Sequence, residues 1–158
     1  MGFGGGKGAP GSEWFANHPS LPADARIVAD INLDMVSRND PKKIGITPSP
    51  RHDHYNSLIP AAQATSKAEG MEAVFDADQY YGRTDSYNFS SKGIPVIFCS
   101  AGVHADYHRP TDDFDKADLE KAARVAYRLG WQIAHGREAP RKIKAESEQK
   151  AEHTVTGK

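Results

Sequence analysis

The chain has 158 residues, 38% hydrophobic and 26% charged, with a net charge of −1 and a single cysteine, Cys99. That length suits one domain with a real core and excludes two large ones. The balanced charge offers no field to nucleic acid or to an anionic membrane, no apolar run approaches the ~20 residues of a bilayer span, and one cysteine excludes an internal disulfide or a thiolate zinc cluster.

The first eleven residues, MGFGGGKGAPG, are glycine-rich and read as a flexible start. They are not a phosphate loop, because Gly8 follows Lys7 where Ser or Thr is needed and no strand precedes. They also lack the basic start and apolar middle of a signal peptide, so the chain reads as cytoplasmic as written, or as a piece of a longer exported protein. Ser12 is placed to cap a short helix, Glu13 to Asn17, which the prolines of HPSLPADAR end.

IVADINLDMV (27–36) is rich in β-branched residues and reads as an inner strand covered by helices. KKIGITPS (42–49) reads as a shorter strand stopped by Pro48 and Pro50. RHDHY (51–55) holds His52 and His54 at alternate positions; a polar loop with Asp53 capping the next helix competes with a metal site. Residues 54–70 read as a helix with Leu58, Ala61, Ala62 and Thr65 inward and Gly70 at its end, Pro60 being tolerable only in the first turn.

YYGRTDSYNF (80–89) mixes aromatic and polar residues, as a pocket lining or a packed loop does. Ser86 has no visible base partner, so no serine hydrolase is proposed. GIPVIFCSAG (93–102) reads as a buried strand and its Cys99 as an inert thiol. Residues 116–136 form the most regular helical pattern, with Leu119, Ala122, Ala126, Leu129 and Ile133 inward and Gly136 at the close. The charged segment 137–158 has no Phe, Trp or Tyr and reads as a mobile tail, leaving 12–136 as the folded domain. Strands alternating with helices argue for an α/β domain with a mixed, mostly parallel sheet.

In such a sheet, ligands gather at the carboxyl ends of strands. Asp34 ends the first strong strand; HADYHRPTDD (104–113), with His104, Asp106, Tyr107 and His108, follows the second. A carboxylate and a neutral imidazole brought together there suit zinc, and Tyr107 beside them suits hydrogen bonding to an oxyanion. The competing reading is a solvated loop, with Thr111 or Asp113 capping the last helix.

GSEWFANHP, INLDMVSR and YYGRTDSYNFSSKGIPVIFCSAGVHADYHRPTDDFDKADLEK, in that order, carry a resemblance. Over roughly residues 7 to 136 the chain resembles the C-terminal half of the dizinc aminopeptidase family, which includes glutamate carboxypeptidases and glutaminyl cyclases. The resemblance implies a three-layer α/β sandwich, truncated at its N-terminal half. It implies that Asp34 binds one zinc, that His108 binds the other, and that Tyr107 steadies the tetrahedral intermediate. It places Arg83 and Asp85, with Tyr81, at a substrate pocket, and Ser86 where family members carry a histidine.

The family also needs a His-x-Asp segment and a Glu-Glu pair, and the alignment sets Gly5 and Gly6 where that pair would stand. The expected function is thus that of a truncated zinc aminopeptidase domain, acting on peptides in its parent form and inactive alone, with zero or one zinc. The missing strands imply a homo-oligomer or pairing with an absent half. The rivals are a non-catalytic dimerising module, and a mononuclear zinc protein using Asp34, His108 and one of His104, His52 or His54.

Overall fold

The computed structural model describes residues 10–113 and 116–144. The glycine-rich residues 1–9 and the charged residues 145–158 therefore lie outside the described residues, as does most of what the sequence marked as flexible.

The chain runs α1 (Pro10–Asn17), β1 (Asp30–Leu33), β2 (Lys43–Thr47), α2 (Leu58–Ala68), β3 (Glu72–Val74), a 3-10 turn (Asp78–Arg83), α3 (Ser86–Ser90), β4 (Val96–Ser100) and α4 (Lys116–His135). The strands form one sheet in the order β1-β4-β2-β3. β1 runs parallel to β4 and β2 parallel to β3, while β2 and β4 are antiparallel, so the sheet is mixed and mostly parallel.

β4 is the axis of the sheet. All five of its residues are buried, as a strand covered on both faces requires. Ile97 and Cys99 point to one face, where Ile44 and Ile46 of β2 meet Leu58, Ile59 and Ala62 of α2 and Ala122, Val125 and Leu129 of α4. Val96 points to the other, where it meets Ala16 of α1, Phe89 of α3 and Tyr81. Each large aliphatic side chain so buried contributes about 1.5–3 kcal/mol relative to exposure.

Several local expectations yield to tertiary context. The 27–36 strand pairs only over Asp30–Leu33 and lies at an edge of the sheet, half-buried, with no strand but β4 beside it among the described residues. Met35, at φ 58°, ends it, because a left-handed residue cannot continue an extended strand. Ser12 is an interior residue of α1, which starts at Pro10, a residue preorganised for a first turn. Asp53 does not cap α2; the Asn56 side chain does, accepting from Leu58 N at 3.0 Å while donating to Val96 O at 2.9 Å.

Pro60 falls in the first turn of α2, where its missing N–H costs nothing. Gly70, at φ 72°, ends that helix: Gly70 N donates to Lys67 O and Met71 N to Ser66 O. In α4, Leu119 is exposed and Val125 takes the inward place instead. Beyond α4, Ser57 N donates to Arg141 O at 2.9 Å and Ile143 N to Tyr55 O at 3.2 Å, tying the following segment to the start of α2.

Candidate functional site

Alternation along β1 sends Ile31 and Leu33 into the α2/α4 core, so Asp30 and Asp34 face the α1/α3 side. Asp34 follows the last paired residue of β1, and its backbone N still donates to Cys99 O at 3.2 Å. Ala101 N then donates to Met35 O at 2.8 Å. Asn39, also left-handed at φ 75°, donates from Nδ2 to Ala101 O at 2.7 Å. The chain leaving β1 is thus stitched to the chain leaving β4.

Arg38 extends the stitching into HADYHRPTDD. Its Nη2 donates to Asp106 Oδ2 at 2.9 Å and its Nη1 to Asp113 O at 2.7 Å. Asp112 lies 3.8 Å from the same guanidinium and 3.3 Å from His104 Nε2. Thr111 donates to Asp106 Oδ1 at 2.8 Å, so its hydroxyl serves the loop and not the helix. Hydrogen bonds from Thr111 and then from Arg38 hold the Asp106 carboxyl below the usual range. Asp106 and His104, which looked like candidate ligands, fold the loop instead, together with Asp112.

Tyr107 is half-buried beside an exposed His108. Their rings stack at 3.9 Å, and His108 is itself left-handed at φ 61°, a backbone state that surrounding contacts must hold in place. His108 is near enough to Asp34 for its charge to act, weakly, on that carboxyl. The Asp34 carboxyl titrates above its usual range because neighbouring atoms strip water from it and because Asp85 adds a like charge; the Met35 backbone and His108 pull the other way.

The charge of Asp85 acts on two other carboxyls, those of Asp30 and Asp34. Ser12, fully buried in α1, donates to Asp85 Oδ1 at 2.5 Å and accepts from Asn88 Nδ2 at 2.8 Å. Ser86 Oγ donates to Asp30 Oδ2 at 2.6 Å. The serine at the family's histidine position therefore supports Asp30, whose carboxyl burial drives upward in pKa against that hydrogen bond.

The other candidates separate from Asp34 and His108. Arg83 is exposed at the end of the 3-10 turn. Tyr81 is buried, its ring 4.3 Å from that of His52, and it lines a cavity of about 180 Å³ with His54, Asn56 and Lys142 at the amino end of β4. His52 and His54 belong to that end too, and His104 Nε2 is held by Asp112. Among the described residues, no three His, Cys, Asp or Glu side chains come together as a metal-binding group. A zinc centre takes at least three protein donors, so Asp34 and His108 do not make one by themselves, and His104, His52 and His54 do not complete it.

Sequence reasoning missed Ser12, Asp30 and Arg38. Only Arg38 carried a signal, standing inside INLDMVSR four residues after the candidate ligand.

The geometry fits what comparison with known proteins finds. The structure is similar to an aminopeptidase from Aneurinibacillus sp. strain AM-1, with a TM-score of 0.60 and 24% sequence identity, over 87% of this chain and 32% of that chain. No curated protein matches the sequence. The profile of Peptidase family M28 matches residues 6–130, and the chain belongs to that family.

Proposed function

We propose that this chain carries part of a zinc aminopeptidase site: Asp34 and His108 as donors to two different metals, and Tyr107 as the hydrogen-bond donor to a developing oxyanion. The parent reaction is release of an N-terminal residue from a peptide, and Asp85, whose charge reaches Asp34, stands toward the substrate, while Arg83 lies apart. The supporting observation is the stitched pair of strand exits that puts His108 within electrostatic reach of Asp34. The aligned aminopeptidase is covered over only 32% of its length. Further donors and the general base are assigned to polypeptide outside residues 1–158. Without that base, a factor of roughly 10²–10⁴ in rate is lost, and this chain alone turns over no peptide.

Two measurements test this. With zinc and an aminoacyl chromogenic substrate, the full chain is expected to show no turnover above background; robust chelator-sensitive turnover refutes the assignment of a missing base. Titration with Co²⁺, a paramagnetic stand-in for zinc, is expected to broaden the NMR signals around Asp34 and around His108 selectively, and His108→Ala to spare the 104–108 loop while the broadening at Asp34 stays. Broadening elsewhere, or none, removes the two donors.

A second reading, a non-catalytic module that pairs with a second copy of itself, is supported by one feature. β1 has a free side among the described strands, and Tyr127 and Trp131 stand exposed on α4, whose Gly130 lies against Ile31 of β1. Sedimentation decides it: a tight dimer without metal favours the module, and a monomer rejects it.

A further inference from the structure

Leu33 pairs with Cys99 in the parallel ladder, and Gly45 pairs with Ser100 in the antiparallel one. The residues that follow, Asp34 and Ser100, put Asp34, Ser100 and Gly45 in one row across β1, β4 and β2. Neighbouring strands are about 4.8 Å apart, so the ends of that row are separated by roughly 10 Å. All three positions face away from the α2/α4 core, because their neighbours Leu33, Cys99, Ile44 and Ile46 face into it. Asp34 and Gly45 therefore belong to the same end and the same face of the sheet.

Over Gly45 lies a cavity of about 320 Å³, lined by Asn39, Asp76, Tyr80, Ser100 and Gly102 among others. Its lining contains one carboxylate and no Lys, Arg or His. Gly45 leaves the space that this carboxylate occupies. A Cβ on Gly45 would stand 2.9 Å from Asp76 Oδ1 and 3.0 Å from Ser100 O, closer than real Cβ contacts allow. Asp76 is exposed and makes no ion pair with a described residue. The Asn39 amide is already spent on Ala101 O at 2.7 Å, and the remaining donors of the lining, the Gln79 amide and the Tyr80 and Ser100 hydroxyls, are neutral, so the Asp76 carboxylate is the cavity's one charged group.

We infer that this cavity receives a cationic side chain, so that the peptides bound at the Asp34 end of the sheet begin with arginine or lysine. Asp76 is the specificity-determining residue, and Gly45 is the residue that admits its carboxylate. The inference rests on the peptidase reading for the identity of the ligand as a peptide N-terminus. The cavity's preference for a cation rests on its own lining.

The test is an NMR titration of the full chain with argininamide and with norleucinamide, which share the amine and the amide and differ in side-chain charge. Argininamide is expected to shift the Gly45, Ala77 and Gly102 amides saturably and to bind about two- to fivefold more tightly than norleucinamide, the range of one partly exposed ion pair. Asp76→Asn is expected to abolish the difference. Gly45→Ala, which displaces the same carboxylate, is expected to abolish it as well, should Asp76→Asn perturb the fold. Equal binding of the two amides, no binding of either, or a preference that survives both substitutions overturns the inference. His108→Ala separates the two readings: the arginine preference persists in that variant. A failed Co²⁺ result with an intact arginine preference therefore removes the peptidase site and leaves the cation pocket.

Discussion

Arg38 on the exit from β1 grips Asp106 on the exit from β4, Nη2 to Oδ2 at 2.9 Å, across 68 residues of sequence. The same guanidinium binds the carbonyl of Asp113, so one side chain fixes both ends of the turn that holds Tyr107 and His108. A planar fork does this and an ammonium does not. Arg38→Gln and Arg38→Lys are therefore both expected to loosen residues 104–113 while leaving the core intact. Hydrogen exchange measures it. The turn bonds Tyr107 N to His104 O and Arg109 N to Asp106 O should lose protection, with the amides of β4 unchanged. Undiminished protection at those two amides would show that the turn stands without Arg38.

What was legible in the sequence follows from how local the signal is. α4 was readable because a long helix with a 3.6-residue repeat states its inward face within itself, although Leu119 and Val125 exchanged places once packing against α2 was set. β4 was readable because a run buried on both faces is apolar throughout. The edge position of β1 was not, because strand order depends on crossovers that no window of sequence contains. Asn56 was missed as the cap of α2 because its value comes from bonding Leu58 N and the distant Val96 O together. At the site, Asp34 and His108 were proposed from a motif, whereas Arg38 and Ser12 take their places from partners far along the chain.

Cys99 makes a simple probe of native packing. It is buried in the middle of β4, and loss of solvent pushes its thiol pKa up to about 12. The thiolate is the reactive form, so it is nearly absent at neutral pH. An aromatic disulfide reagent is expected to leave the native chain unlabelled and to label one thiol per chain in urea. Rapid labelling without denaturant would mean that β4 is exposed.

Ile97, fully buried beside Cys99's neighbours on the α2/α4 face, sits where both layers close on the sheet. Ile97→Ala leaves a cavity that a central strand cannot collapse into, and is expected to cost about 4 kcal/mol; Ile97→Val costs about 1 kcal/mol. Urea unfolding with an unchanged slope checks both values. A loss from Ile97→Ala no larger than that from Ile97→Val would show a loosely packed interior.

Asp30 gives the chain a stability that depends on pH in an unusual direction. Its carboxyl is pushed above its ordinary pKa chiefly by burial, helped by the like charge of Asp85 and opposed by the Ser86 hydrogen bond. The folded state thus holds the proton more tightly than the unfolded chain does. The contribution to stability is complete below the unfolded carboxylate range and is lost as pH rises through the folded value. Asp30→Asn keeps an oxygen to accept from Ser86 Oγ and carries no charge. It is expected to raise the melting temperature by a few degrees at neutral pH. The gain should vanish in acid, where Asp30 is protonated in both states. A substitution that destabilises equally at both pH values would show that the Ser86–Asp30 bond needs the carboxylate itself.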